Sequence, residues 1–88
     1  MFTKDVKLNN TDYGVTLHTE DSNYWIEVKR DNRNLTVNEV GLVLAVLGLR
    51  NEFSSSGLVF SSLLDANWHF LLFVTRLDEF AYTCYLDH

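Results

Sequence analysis

Residues 35–50, LTVNEVGLVLAVLGLR, decide the fold of this chain. Thr36 and Glu39 stand at the spacing of a capping box, in which the threonine hydroxyl accepts from the backbone N–H three residues on and the glutamate carboxylate reaches back. Leu35 and Val40 occupy the two positions of a hydrophobic staple around the same cap. Three local signals therefore predict one helix start.

The helix predicted from this start covers residues 36–50 and is the main helix of the chain. From 40 to 49 every residue is apolar or glycine, whereas a helix packed on one sheet normally keeps a polar outer face. Two interpretations follow: loops cover the rest of the helix, or one stripe contacts another protein chain. The small residues that would form an oligomer interface on this helix are Gly41, Ala45 and Gly48.

Apolar and polar residues alternate in three runs before the helix. The runs are 2–8, 13–18 and 24–29, and clusters of turn-forming residues separate them at 9–12 and 21–23. Alternation with period two is typical of strands that are buried on one face. The first third of the chain therefore predicts an antiparallel meander.

The second half of the chain predicts further strands. Residues 58–64 lack a decisive period, and we favour a strand there over a helix. Residues 68–74 are apolar on both faces, as in a central strand, and a turn at 76–78 leads to an alternating run at 80–86. The predicted order is β-β-β-α-β-β-β, or β-β-β-α-α-β-β if the undecided segment is helical. Both describe a single α+β domain over 1–88, with one main helix and an antiparallel sheet of five to six strands.

The charge of the chain argues against direct binding to nucleic acid. Twelve acidic residues against seven basic ones give a net charge of −5, and the phosphate backbone repels such a chain. Several carboxylates fall at or beside predicted strand ends in the second half. They form either a solvated rim or a patch that steers a basic protein partner. These candidate partner-binding residues are Asp65, Asp78, Glu79 and Asp87.

No residue pattern in the sequence predicts catalysis, a cofactor or a metal site. A single cysteine, Cys84, excludes an internal disulfide and a thiolate-rich zinc site, and fits a reducing compartment. The histidines, His18, His69 and His88, lack the spacing of metal ligands. The sequence has no Gly-rich phosphate loop, no nucleophile elbow and no apolar stretch of about 20 residues for a membrane span. We therefore expect a cytoplasmic protein that is not an enzyme.

The function expected from these features is protein binding. Small size, acidity and the lack of motifs are typical of antagonists that occlude a basic or nucleic-acid-binding partner, such as a nuclease. Immunity proteins, antitoxins and phage anti-defence proteins, anti-CRISPR proteins among them, form this class, and a phage-encoded member would act in the host cytoplasm. The alternative is a structural or accessory subunit of a homo-oligomer, such as a homodimer, assembled through the apolar helix.

Overall fold

The alternating runs at the start of the chain form the predicted meander. A computed structural model describes residues 2–8, 11–53 and 58–86. Its elements, in chain order, are β1 (Phe2–Leu8), β2 (Thr11–Glu20), β3 (Asn23–Arg30), β4 (Arg33–Asn34), α1 (Val37–Val46), α2 (Arg50–Phe53), β5 (Val59–Phe60) and α3 (Leu63–Leu86). The predicted α+β class is confirmed.

The five strands form one antiparallel sheet in which β3 is central. The order is β1-β2-β3-β4, and β5 also pairs with β3, near the other end of that strand. Asp21 and Ser22 join β2 to β3 with φ of 47° and 68°, and Asp31 and Asn32 join β3 to β4 with φ of 50° and 66°. Two successive residues with positive φ are what a type I′ hairpin turn requires, and Asp, Asn and Ser are suited to such turns.

One face of the sheet carries the core. Val15 lies opposite Val28, and Leu17 lies opposite Ile26, so the four side chains share one face. All four are buried, as period-two alternation predicts. α3 packs on this face, and α1, its C-cap residue, α2 and β5 add Leu44, Leu47, Phe53 and Phe60 respectively to the core.

The predicted strands at 68–74 and 80–86 are wrong, because both segments belong to α3, a helix of 24 residues. No glycine or proline interrupts residues 63–86, so the predicted turn at 76–78 does not form. The residues of α3 that enter the core recur every three or four positions, which is the helical period. These residues are Ala66, Phe70, Phe73 and Leu77.

The segment left undecided at 58–64 contributes to two elements. Val59–Phe60 forms β5, and Leu63 begins α3. Ser62 caps that helix, because its hydroxyl accepts from the N–H of Asp65 at 3.4 Å and its carbonyl accepts from the N–H of Ala66 at 2.9 Å. Neither predicted element order is therefore correct: both omit β4, which precedes α1, and both place two strands where α3 lies.

The predicted helix at 36–50 is confirmed at its start and too long at its end. The N–H of Glu39 donates to the Thr36 hydroxyl at 3.2 Å, and the N–H of Thr36 donates to the Glu39 carboxylate at 3.3 Å. α1 ends at Val46, and Gly48 adopts the left-handed conformation with φ of 72°. Arg50 starts α2 instead, so the main helix of the domain is α3. No helix in the described ranges is long and apolar enough to cross a membrane.

Candidate protein-binding surface

The outward side of α1 is an exposed apolar surface. Leu44 faces the core, whereas Val37, Leu42 and Val46 are 89%, 67% and 61% exposed. The α1 face is defined here as Val37, Gly41, Leu42, Ala45 and Val46. The sequence left two interpretations of the apolar helix. Because these side chains are exposed, the interpretation that loops cover the helix does not apply to this side of α1.

The three small residues predicted as an interface do not lie on one helix. Gly41 and Ala45 lie on the α1 face, one turn apart. Gly48 lies beyond the end of the helix, where its positive φ gives it a conformational role. A Cβ added to Gly41 would meet nothing within 4 Å. No described residue of this chain therefore requires a glycine at that position.

A groove of about 240 Å³ continues the α1 face toward α3. Leu42 and Val46 belong to both surfaces, so the apolar area is continuous. Two charged side chains, Arg30 and Glu39, also line the groove. The main apolar lining residues are Leu35, Leu42, Val43, Val46, Leu77 and Phe80.

Glu39 is held in its ionised form beside this groove. The backbone N–H of Thr36 donates to its carboxylate and lowers the pKa of Glu39 below its ordinary value. The guanidinium groups of Arg33, 3.9 Å away, and Arg30 lower this pKa further. The Glu39 carboxylate is thus engaged in capping α1 and is less available to bind a partner than its position beside the groove suggests.

The predicted acidic residues do not converge on one site. Asp65 lies in the first turn of α3, where its carboxylate is 3.3 Å from Nδ1 of His69. Asp78 and Glu79 lie 13 and 14 residues further along the helix, which is about 20 Å at 1.5 Å per residue. Both are exposed, and Glu79 forms an ion pair with Arg76 at 3.5 Å. Asp87 lies outside the described residues.

α3 carries a second exposed apolar surface that the sequence reasoning missed. Leu64, Trp68 and Leu71 are 81%, 55% and 54% exposed and stand at i, i+4 and i+7. At 100° per residue this stripe, the α3 ridge, points away from the stripe that enters the core. The helical spacing of these residues was the available signal, and the strand assignment hid it.

The two histidines within the described ranges, His18 and His69, are packed against aromatic side chains. His18 stacks on Trp25 across β2 and β3, with ring centroids 5.1 Å apart, and its Nε2 is 3.4 Å from the Glu27 carboxylate. His69 packs edge-to-face on Phe53, and its Nε2 lies 3.2 Å from the Glu52 carbonyl oxygen. Among the described residues no group of three His, Cys, Asp or Glu could hold a metal ion.

Comparisons with known proteins add nothing to this geometry. No family model, no characterised protein and no solved structure matches the chain. The case for a function therefore depends on the surfaces described above.

Proposed function

We propose that this chain is a small non-enzymatic protein that occludes a surface on a larger protein partner, and that the α1 face makes the contact. The observation that carries the proposal is the exposure of Val37, Leu42 and Val46 on a helix that is anchored by Leu44 and Leu47. Exposed apolar patches of this kind mark interaction sites, and apolar anchors that fill a partner's pocket dominate binding energy.

The net negative charge of the chain supports a basic partner. Proteins that bind nucleic acid are typically basic. A charge of −5 attracts such a partner over long range, so the association rate should fall as salt screens it. The single cysteine fits action in a reducing cytoplasm. Together these features support the proposal of an antagonist of a nuclease or of another protein that binds nucleic acid.

A homo-oligomer assembled through the α1 face is the second candidate. The observation that favours it is the open space at Gly41, because a residue without a side chain lets another helix approach closely. This candidate predicts that the purified chain self-associates through the α1 face, whereas the first predicts that a partner of different sequence occupies that face.

The decisive experiment compares wild-type protein with Leu42→Glu in affinity capture from the native cell. A matched control, Leu71→Glu, puts the same charge at a similarly exposed leucine on the α3 ridge. We expect Leu42→Glu to weaken capture of the partner at least about 30-fold, because it places a charge in an apolar contact. Leu71→Glu should leave capture unchanged.

The same variants separate the two candidates and can refute both. If Leu42→Glu abolishes self-association of the purified chain, the homo-oligomer is supported. If the captured partner stays bound to Leu42→Glu and is lost with Leu71→Glu, the α3 ridge is the contact and the proposal is wrong. Reversing Asp78 and Glu79 to lysine should slow association with a basic partner and reduce its salt dependence.

A further inference from the structure

β1 is an open edge strand of the sheet. Within the described ranges, β2 is the only strand that pairs with it. The ladder between the two runs without a bulge, from Phe2 opposite Leu17 to Leu8 opposite Thr11. An edge of this kind presents unpaired N–H and C=O groups, which form a template for another strand.

Of the features that usually prevent pairing at an open edge, β1 has only charged side chains. The chain contains no proline, and the straight ladder excludes a protective bulge within β1. What remains are the exposed side chains of Lys4, Asp5 and Lys7. Their signs therefore decide which strand this edge accepts.

A second copy of β1 can meet the edge in few registers. Val6 faces the core, since it lies opposite Tyr13 and is buried, so even-numbered residues of β1 share the core face. Directly opposed residues of an antiparallel pair lie on one face, and matching faces place the two-fold axis at a residue. An axis at Lys4, Asp5 or Lys7 puts two like charges directly opposite each other, which is destabilising.

An axis at Val6 gives the opposite result. It places Asp5 of each copy directly across from Lys7 of the other, twice in the pair, and opposite charges in this position are stabilising. Val6 then meets its own counterpart on the core face. An axis at Thr3 also avoids like charges, but it pairs only residues 2–4 of the described strand.

We propose that two copies of this chain associate through their β1 edges, antiparallel about a two-fold axis at Val6. The ten strands of the two copies then form one continuous sheet, with both α3 helices on the same side of it. No residue of β1 lines the groove beside α1. The pairing therefore goes beyond the proposed function: it would present two α1 faces in one assembly and raise affinity for a partner with two sites.

The test is a charge swap followed by sedimentation of the purified full chain over a range of concentrations. Asp5→Lys and Lys7→Asp should each weaken dimerisation roughly 10- to 100-fold, because each turns two attractive cross-strand pairs into repulsive ones. The double variant Asp5→Lys/Lys7→Asp should restore dimerisation, because it recreates both pairs with their signs exchanged. Far-UV circular dichroism of each variant checks that it is folded, since Lys7 also lies opposite Asp12 within the chain.

Disulfide trapping keeps the proposal testable if a charge variant fails to fold. In a background with Cys84→Ser, a mixture of Asp5→Cys and Lys7→Cys proteins should form a cross-linked heterodimer. Either variant alone should cross-link much less, because neither position faces itself in this register.

Three results would overturn the proposal. One is that the purified chain stays monomeric at millimolar concentration. This result overturns the proposal even if the β1 edge binds an extended segment of a different protein. Another is a dimer that is insensitive to both single reversals, which would place the contact elsewhere. The third is a double variant that dimerises no better than the single ones.

Discussion

Replacement of Gly41 by alanine tests whether the α1 face is free in the isolated chain. Gly41 lies in the interior of α1, where glycine is the least favourable residue apart from proline. Its backbone does not have the positive φ found at Gly48, and a Cβ would meet nothing within 4 Å. Alanine should therefore fit without strain.

The expected stabilisation follows from helix propensity. Alanine exceeds glycine by about 0.8–1.0 kcal/mol in a helix interior, and the reduced entropy of the unfolded chain contributes to this difference. For a domain of this size, a gain of this order raises the melting temperature by about 3–8 °C. Thermal unfolding followed by circular dichroism, at a protein concentration where the chain is monomeric, measures it directly.

Gly48→Ala is the matched control with the opposite sign. Gly48 also has open space around its Cα, but its φ of 72° is unfavourable for any residue with a Cβ. The left-handed conformation costs alanine about 1–2 kcal/mol, so this variant should melt several degrees lower. The two substitutions add the same methyl group in equally open space and differ only in the backbone conformation of the glycine.

A fall in stability on Gly41→Ala would refute this reasoning. It would mean that the space beside Gly41 is occupied in solution, and a second copy of the chain is the available occupant in a purified sample. Dilution would then distinguish the cases, because the effect of an oligomer contact depends on concentration.

Three further predictions concern the start of α1 and the buried face of α3. Thr36→Ala should cost about 1 kcal/mol in urea unfolding, because it removes the hydroxyl that accepts from the N–H of Glu39. The pKa of Glu39 is lowered in the folded chain, so its carboxylate contributes stability that is fully present above the pKa of an unfolded glutamate, about 4.3, and is lost as pH falls through the lowered value. Glu39→Gln should therefore reduce the loss of stability that accompanies acidification below about pH 4.3. Phe70→Asp should unfold the domain whereas Leu71→Asp should change its stability by less than about 1 kcal/mol, since only Phe70 is buried; equal losses in circular dichroism would contradict the helical register of α3.

Local signals explain which parts of the fold could be predicted. The capping box of Thr36 and Glu39 forms within four residues, so its geometry depends little on the rest of the chain. Period-two alternation likewise fixed the three strands of the meander. The end of α1 was harder to predict, because a glycine can lie within a helix or stop it, and only the structure shows the positive φ of Gly48.

α3 could not be predicted by the same reasoning because its apolar residues occupy two faces. Phe70 and Phe73 enter the core, while Trp68 and Leu71 on the opposite side are exposed. Together they fill the sequence with apolar residues and hide the helical period, so a strand covered on both faces was the reasonable interpretation. The cap at Ser62 was the local signal that should have favoured a helix.

The α1 face, too, could be predicted only in part from the sequence. The apolar content of 40–49 already indicates more apolar area than one sheet can cover, but only the fold shows that Leu42 and Val46 are left exposed. The acidic residues behave differently, because their positions along α3 separate Asp65 from Asp78 by about 20 Å. Charge composition alone could not show that separation.

The α1 face and the acidic pair Asp78 and Glu79 lie on different elements of this domain, so their effects on binding should separate. The carboxylate on α1, Glu39, is engaged in the cap, whereas the acidic pair Asp78 and Glu79 lies on α3. Charges outside a contact act mainly on the association rate, and apolar anchors within it act mainly on the dissociation rate. Leu42→Glu should thus raise mainly the dissociation rate, and reversal of the acidic pair should lower mainly the association rate.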